Sequence, residues 1–156
     1  MPAAPITFRV FPGLQMSTMR AVGLLEGYKE LNAARAYESL AVTAKRQINK
    51  HIERWTAGHD QPKTWFHGFP SLPEYKECFV FKYREHRFYG FLCNPRPKSA
   101  PRFRLCVLTT HDEKYEWETD EAILPRVAMW RSNLASRAAI GYLFAEFQPE
   151  GKQWTN

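Results

Sequence analysis

The segment Lys82–Lys114 contains the densest group of side chains that could do chemistry. It reads KYREHRFYGFLCNPRPKSAPRFRLCVLTTHDEK and carries eight lysines and arginines against three acidic residues. It therefore holds most of the net charge of +6 that the 156-residue chain carries at pH 7. Because the segment is also rich in aromatic and apolar residues, we expect it to fold rather than to form a disordered basic tail.

Two predicted strands in this segment could collect basic side chains on one face of a sheet. Successive side chains of a strand point to opposite faces, so an apolar face can lie behind a basic one. The residues of the basic face would be Arg87, Tyr89, Arg102 and Arg104. Arginines this close repel one another unless an anion lies between them, and an RNA phosphate is a suitable anion. The alternative is a solvated face whose charges prevent edge-to-edge pairing of sheets.

A histidine follows the apolar strand that ends this segment, in the motif TTHDEK. His111 could act as a general acid or base, because an imidazole titrates near neutral pH. Nearby cations would lower its pKa and nearby acids would raise it. The alternative is an ordinary exposed or hydrogen-bonded histidine.

Familiar metal and nucleotide motifs are missing from the sequence. The five histidines and three cysteines lack zinc-site spacing, and there is no Walker A loop, G-x-G-x-x-G or G-x-S-x-G. We therefore expect no metal and no cofactor. Cys78, Cys93 and Cys106 are predicted to be buried thiols of a cytoplasmic protein. The sequence predicts neither a signal peptide nor a membrane span, because it shows no basic n-region followed by an apolar h-region and no apolar run of about 18 residues.

The first part of the chain supplies elements that would support the basic segment. Alternation predicts a strand at Ile6–Phe11. Ser17 or Thr18 could cap a short helix running to Leu31. The strongest periodicity predicts one helix from Asn32 to Ala57, ended by Gly58. Its outer face carries basic residues, Lys50 and Arg54 among them, which form either a solvated polar face or a wall beside a nucleic-acid groove.

The remaining elements complete a helix-then-strands order. A loop at Asp60–Pro73 precedes strands at Tyr75–Arg84, Arg87–Cys93 and Arg102–Thr109, the last two joined by the proline-rich hairpin loop 94–101. Thr119 or Asp120 could cap a helix running to about Ser136. Ile140–Phe147 fits either a strand or a helix. Helices before a run of strands indicate the α+β class.

This order of motifs resembles the RelE/ParE toxin superfamily, nearest to the RelE-like and phage-derived toxins of type II toxin–antitoxin systems. The resemblance covers about residues 32–131. It rests on WFHGFPSLPEYKECFVFKYREHRFYGF, then RFRLCVL, then TTHDEK, then TDEAI in a helix. These stretches match, in order and residue type, an arginine-bearing strand with Tyr-Arg and aromatics, an apolar strand leading to a polar motif, and a short helix.

The resemblance implies a single domain with a particular sheet. The expected fold is a twisted antiparallel sheet of about four strands with a long helix packed on one face. The domain would span residues 1–156, with extensions at about 1–31 and about 138–156 that have no counterpart in the family.

The resemblance also implies an activity, metal-independent endoribonuclease cleavage of mRNA, usually on the ribosome. The 2′-hydroxyl attacks the adjacent phosphate and leaves a 2′,3′-cyclic phosphate or 3′-phosphate and a 5′-hydroxyl. Arg87 would stabilise phosphate charge, His111 would be the general acid or base, and Lys82 and Arg84 would be the preceding basic residues. The residues expected to bind RNA are Arg102, Arg104, Lys114, Tyr89, Lys50 and Arg54.

Two classes of function therefore remain open at the level of sequence. The first is this toxin-like endoribonuclease of the cytoplasm, with RNA and a cognate antitoxin protein as its partners. The second is a non-catalytic binding protein, such as a phage or mobile-element factor, that uses the same basic sheet face to bind nucleic acid or an acidic partner.

Overall fold

A computed structural model describes residues 5–11, 19–114 and 122–144, which form a six-stranded mixed sheet and four α-helices. The strands are β1 (Thr7–Val10), β2 (Arg20–Glu26), β3 (Phe66–Gly68), β4 (Cys78–Tyr83), β5 (His86–Cys93) and β6 (Arg104–Glu113). The helices are α1 (Ala33–Glu38), α2 (Val42–Thr56), α3 (Ile123–Ser132) and α4 (Leu134–Phe144), with a 3₁₀ turn at Pro73–Tyr75.

The described strands lie in the order β1-β2-β6-β5-β4-β3, and β2 and β6 are the one parallel pair among them. The α+β class is thus confirmed. The predicted antiparallel sheet of about four strands is wrong, because the sheet has six strands and is mixed. The segment 1–31, predicted to be an extension, supplies β1 and β2 to this same sheet.

Helices cover both faces of the sheet, which corrects the prediction of a long helix on one face. Helices α1 and α2 pack on the face that carries Phe81 and Phe88, whereas α3 and α4 pack on the face that carries Val80 and Phe91. All four of these strand residues are fully buried. Because both faces are apolar, neither could remain open to solvent along its whole length.

The helix predicted up to Leu31 is wrong where the structure describes it, because Arg20–Glu26 is the strand β2. Its five central residues are all buried, as in strands that lie beside a parallel neighbour and are covered on both faces. Gly23 lets β1 lie close to β2, because a Cβ there would overlap the Phe8 ring and lie 2.9 Å from the carbonyl oxygen of Arg9. Ser17 and Thr18 lie outside the described residues.

The long helix predicted over Asn32–Ala57 is two helices separated at residues 39–41. Its end is as predicted, because Gly58 follows α2 with φ +90°, a conformation that glycine adopts without strain. The predicted loop 60–73 contains the short edge strand β3. The helix predicted to run to about Ser136 is confirmed over Ile123–Ser132 and is interrupted at Asn133. The chain continues as the helix α4, which settles residues 140–144 as helical. Thr119 and Asp120 lie outside the described residues.

An irregularity in the pairing of β5 and β6 decides which side chains share a face. Tyr89 pairs with Thr110, but Gly90 pairs with Leu108, so Thr109 is an extra residue in β6. Gly90 sits at this β-bulge, and a Cβ at that position would overlap the carbonyl oxygen of Val107. One extra residue reverses the facing of every side chain that follows it in the strand.

The three cysteines, Cys78, Cys93 and Cys106, are buried free thiols, as predicted. Burial raises the pKa of the Cys78 thiol to about 12, so the unreactive protonated form dominates at neutral pH. Within the described ranges, no helix is both long and apolar enough to cross a membrane.

Candidate functional site

The predicted catalytic residues gather at one end of the sheet, where β4 turns into β5 and β6 ends. Tyr83 and His86 pair across a turn formed by Arg84 and Glu85. Arg84 is exposed and has φ +52°, the one positive φ at a non-glycine residue in the described chain. Such a conformation costs about 1–3 kcal/mol in residues that carry a side chain. An arginine in a position suited to glycine is a reason to look for function here.

One face of this end carries the cationic cluster, His67, Lys82 and Arg87. Lys82 and Arg87 are directly opposite each other in the β4–β5 register, which places their Cβ atoms about 5 Å apart. Lys82 Nζ lies 3.2 Å from His67 Nε2. His67 Nδ1 lies 2.6 Å from the carbonyl oxygen of Gly68. That carbonyl needs a donor, so Nδ1 carries the proton and Nε2 can accept from the Lys82 ammonium.

The electrostatics of the cationic cluster are those of like charges held together. Partial burial, and then the neighbouring Arg87, lower the pKa of Lys82. Burial also lowers the pKa of His67. The hydrogen bond to Gly68 opposes this shift, and the positive charges of Lys82, Arg87 and Lys63 add to it. The neutral imidazole of His67 is therefore favoured near neutral pH. Clusters of titratable groups perturbed in this way are enriched at functional sites.

Arg87 is held by the turn. Its Nη1 donates to the carbonyl oxygens of Arg84 and His86, the second at 3.0 Å. Asp112 pairs with Arg87 in the β5–β6 register. Within the described residues, however, no carboxylate oxygen lies within 4.0 Å of the nitrogens of Lys82 or Arg87. The cationic cluster is therefore fixed in place without a carboxylate in ion-pair contact.

The opposite face of the same end carries the histidine cluster, His86, His111 and Glu113. One ligand-type atom from each lies within 4.8 Å of the others. His86 Nδ1 is 3.0 Å from His111 Nε2, and Glu85 Oε1 is 3.6 Å from the other ring nitrogen of His86. Burial, followed by His86, lowers the pKa of His111, while Glu113 and Asp112 oppose the shift.

The β-bulge separates Arg87 from His111. His111 pairs with Phe88, which belongs to the core under α1 and α2, and the two rings lie 4.8 Å apart. In an unbroken ladder, Arg87 would pair with His111 and both would face the same side. The extra residue Thr109 instead gives Asp112 that position. The predicted single site of Arg87 and His111 is therefore divided between two faces.

Helix α2 and the sheet edge add basic and aromatic side chains to this end, on the face opposite to the cationic cluster. His51 is buried, with 2% of its surface exposed. Its ring stacks on that of Trp65, and the two ring centroids are 4.3 Å apart. Arg54 lies 5.5 Å from the Trp65 ring, and Lys50 and Arg54 both contribute to lowering the pKa of His51 after burial. The backbone carbonyl of Trp65 accepts from Lys82 N at 2.8 Å. Trp65 thus joins α2 to β4.

The other predicted RNA-binding residues do not join this group. Arg104 begins β6, and at about 3.3 Å per strand residue it lies about 23 Å from His111. Arg102 precedes it in the chain, and both are exposed. Tyr89 is fully buried, so the prediction that it faces solvent is wrong, because its face is covered by α3. Lys114 lies beside the turn, where its N donates to the carbonyl of Glu85.

Sequence reasoning missed four residues of this end: His67, Trp65, His86 and Glu113. His67 and Trp65 were assigned to a loop, although FHG in fact pairs with β4. His86 and Glu113 are 27 positions apart in the sequence and meet only because they pair in the β5–β6 register. Counting residues back from the hairpin loop without the bulge would pair His86 with Asp112 instead. The one sequence signal for the bulge is Gly90, an isolated glycine inside a strand.

Known proteins give no further guide to this end of the sheet. No protein-family model, curated protein or solved structure significantly matches the chain.

Proposed function

We propose that the cationic cluster binds the phosphate backbone of single-stranded RNA. The observation that supports this most is the pairing of Lys82 with Arg87 across β4 and β5, with no carboxylate in ion-pair contact among the described residues. Two cations this close repel each other, and a phosphate between them would relieve that repulsion. Arg84 at the adjoining turn adds a positive charge to this end of the sheet, with its guanidinium 5.4 Å from the Tyr83 ring on the opposite face.

The surroundings favour a polynucleotide over a small anion. Trp65 lies at the sheet edge next to β4, partly buried, with its ring on the side covered by α2 and Arg54 beside it. A strand bound at the cationic cluster would reach this ring by passing round the sheet edge. Basic side chains with an aromatic platform are typical of proteins that bind single strands, because each base can stack while the phosphates pair with cations. The overall charge of +6 would increase the rate of encounter. RNA is preferred to DNA because of the RelE-like resemblance.

Salt-dependent binding of a short oligouridine tests the proposal. The double variant Lys82→Gln/Arg87→Gln should bind at least about tenfold more weakly. Its slope of log K against log salt should be shallower by about 1.4, because each lost phosphate contact on a single strand removes about 0.7. Fluorescence anisotropy over a salt series measures both quantities, and a DNA strand of the same sequence tests the choice of RNA.

The matched control removes the same charge from the far end of β6. Arg102→Gln/Arg104→Gln should leave both the affinity and the slope unchanged, because Arg104 begins β6 about 23 Å along the strand from His111 and Arg102 precedes it. Equal weakening by the two double variants would show that net charge, and not this cluster, governs binding. Absence of salt-dependent binding by the wild-type protein would contradict the proposal outright.

A second candidate function is RNA cleavage at the same cluster, which the position of His67 favours. Its Nε2 lone pair faces Lys82 Nζ on the face that carries Arg87. Nε2 would take the proton of the 2′-hydroxyl as that oxygen attacks the adjacent phosphorus. The P–O5′ bond breaks, and Lys82 donates a proton to the leaving 5′-oxygen while Arg87 stabilises the phosphorane charge. The products are a 2′,3′-cyclic phosphate and a 5′-hydroxyl.

End-labelled RNA incubated in EDTA tests this second function. Cleavage should give a cyclic phosphate end and should fall by at least about a hundredfold in His67→Asn, while RNA affinity is largely kept. His111→Asn should cleave at the wild-type rate. Cleavage that depends on His111 and not on His67 would restore the prediction made from the sequence. If the RNA is bound normally but stays intact, the protein binds RNA without cleaving it. Membership of the RelE/ParE superfamily, cleavage on the ribosome and binding of an antitoxin stay predictions.

A further inference from the structure

We propose that the histidine cluster is a binding site for a first-row divalent transition-metal ion, for which Zn²⁺ is a suitable probe. His86, His111 and Glu113 would each supply one ligand atom. The site lies on the opposite face of the sheet from the cationic cluster and does not depend on RNA binding.

The distances fit coordination with little movement. Two imidazole nitrogens bound to one zinc at 2.0–2.1 Å with tetrahedral angles are about 3.3 Å apart. His86 Nδ1 and His111 Nε2 are 3.0 Å apart, and the Glu113 carboxylate completes a set of three within 4.8 Å. Without an ion, the two imidazoles can share only a single N–H between them. An ion would replace that proton and accept both lone pairs.

The surrounding contacts would orient the ligands. Glu85 lies 3.6 Å from His86 Nε2, the ring nitrogen that points away from His111. Metal-bound histidines commonly donate this second N–H to a carboxylate, which fixes the ring and makes it a better ligand. Asn32 Oδ1 accepts from the backbone N of His111 at 2.8 Å, and Phe88 packs on the His111 ring. These contacts hold the end of β6 beside β5.

The ligand set indicates the class of ion. Two imidazoles and one carboxylate suit Zn²⁺, Fe²⁺, Co²⁺ and similar ions, whereas Mg²⁺ and Ca²⁺ prefer oxygen ligands alone. Three protein ligands leave at least one position for water or a substrate atom, as in metal sites that do chemistry. Competition from thiols is small, because all three cysteines are buried.

Calorimetric titration of tag-free, EDTA-treated and desalted protein with ZnCl₂ tests the site. We expect one equivalent to bind. His86→Asn and His111→Asn should each weaken binding by at least about a hundredfold, and Glu85→Gln, which acts through His86, by about tenfold. Co²⁺ should give the visible absorption of a four- or five-coordinate site in the wild type and lose it in these histidine variants.

Two further variants keep the test decisive even if a histidine variant fails to fold. Glu113 is exposed, so Glu113→Gln should fold normally and still bind zinc at least about tenfold more weakly. His59 is exposed and lies outside the cluster, so His59→Asn should bind zinc as the wild type does. Binding that survives in Glu113→Gln and both histidine variants, or that His59→Asn weakens equally, would overturn the proposal. Because no RNA is present, the result is independent of the proposed RNA function.

Discussion

The two faces of one sheet end differ in chemistry although the strand β5 contributes a residue to each, Arg87 to one and His86 to the other. The cationic cluster places Lys82 opposite Arg87 and beside His67, whose lowered pKa favours the neutral imidazole. The histidine cluster, on the other side of β5 and β6, places two imidazoles against acidic side chains. The first is suited to an anion and the second to a cation.

Local backbone geometry, more than composition, creates this difference. The segment 82–114 holds Lys82 and Arg87 as well as the whole histidine cluster, and its net charge alone predicts a single anion-binding surface. One extra residue at Thr109 moves His111 away from Arg87 and toward His86. The comparison teaches that a charge excess in a strand pair must be divided by register before any ligand is inferred from it.

The largest expected effect comes from disturbing the bulge itself. Gly90→Ala would press a Cβ against the backbone of Val107 in β6, and backbone cannot rotate aside. We expect the free energy of unfolding to fall by about 3 kcal/mol, as measured by urea denaturation. Gly68→Ala is the matched control, because a Cβ there would lie 3.6 Å from the nearest atom, the carbonyl oxygen of Cys78.

Gly68→Ala should change stability by no more than about 0.5 kcal/mol. If Gly90→Ala were as stable as this control, the close approach of β5 and β6 would not be needed and the separation of the two faces would lose its physical basis.

A smaller effect is expected at the turn, where replacing Arg84 should increase stability but weaken RNA binding. Arg84→Gly should raise the free energy of unfolding by about 1 kcal/mol, because glycine adopts φ +52° without strain. The same change should weaken RNA binding severalfold by removing a charge beside the cationic cluster. Paired measurements of urea denaturation and RNA anisotropy would check both. A variant that is less stable, or that binds RNA as tightly as the wild type, would contradict the functional reading of the strained turn.

The smallest effect is a pH dependence of stability that comes from His67. Burial, with Lys82, Arg87 and Lys63, lowers the pKa of this imidazole in the folded state. Below the unfolded value of about 6.5, the unfolded chain takes up a proton that the folded chain resists, so stability falls as the pH is lowered. In EDTA, urea denaturation at successive pH values should show a smaller acid loss in His67→Asn than in the wild type. The exposed His59 gives the control His59→Asn, which should keep the wild-type loss; identical profiles for all three proteins would refute the assignment.

Much of the fold could be predicted from the sequence because local patterns decide it. The strand predicted at 87–93 matches β5, the buried cysteines are confirmed, and the helix ends before Gly58 as expected. The strand predicted at 102–109 begins instead at Arg104 and continues to Glu113, so that His111 lies within β6. The sequence of β2 also fits a helix, because a short apolar run has no distinct period. Its partner β6 lies more than eighty residues away in the chain, and no local signal announces that pairing.

The candidate site was less predictable, because it depends on register. The residue types were found, with Lys82, Arg84, Arg87 and His111 at one end of the sheet. The division of these residues between two faces could not be predicted, because the packing of two strands decides where a bulge forms. Nor could strand alternation show that helices would cover Tyr89, because that depends on where α3 packs.

The most direct measurement of the central claim is the RNA affinity of Arg87→Gln beside that of His111→Asn, in EDTA and at low salt. The account predicts that Arg87→Gln weakens binding by about three- to tenfold, as expected for one phosphate contact, and that His111→Asn binds as the wild type does. Equal losses in the two variants would show that Arg87 and His111 act in one site, which would contradict the division of the sheet end into an anion-binding and a metal-binding face.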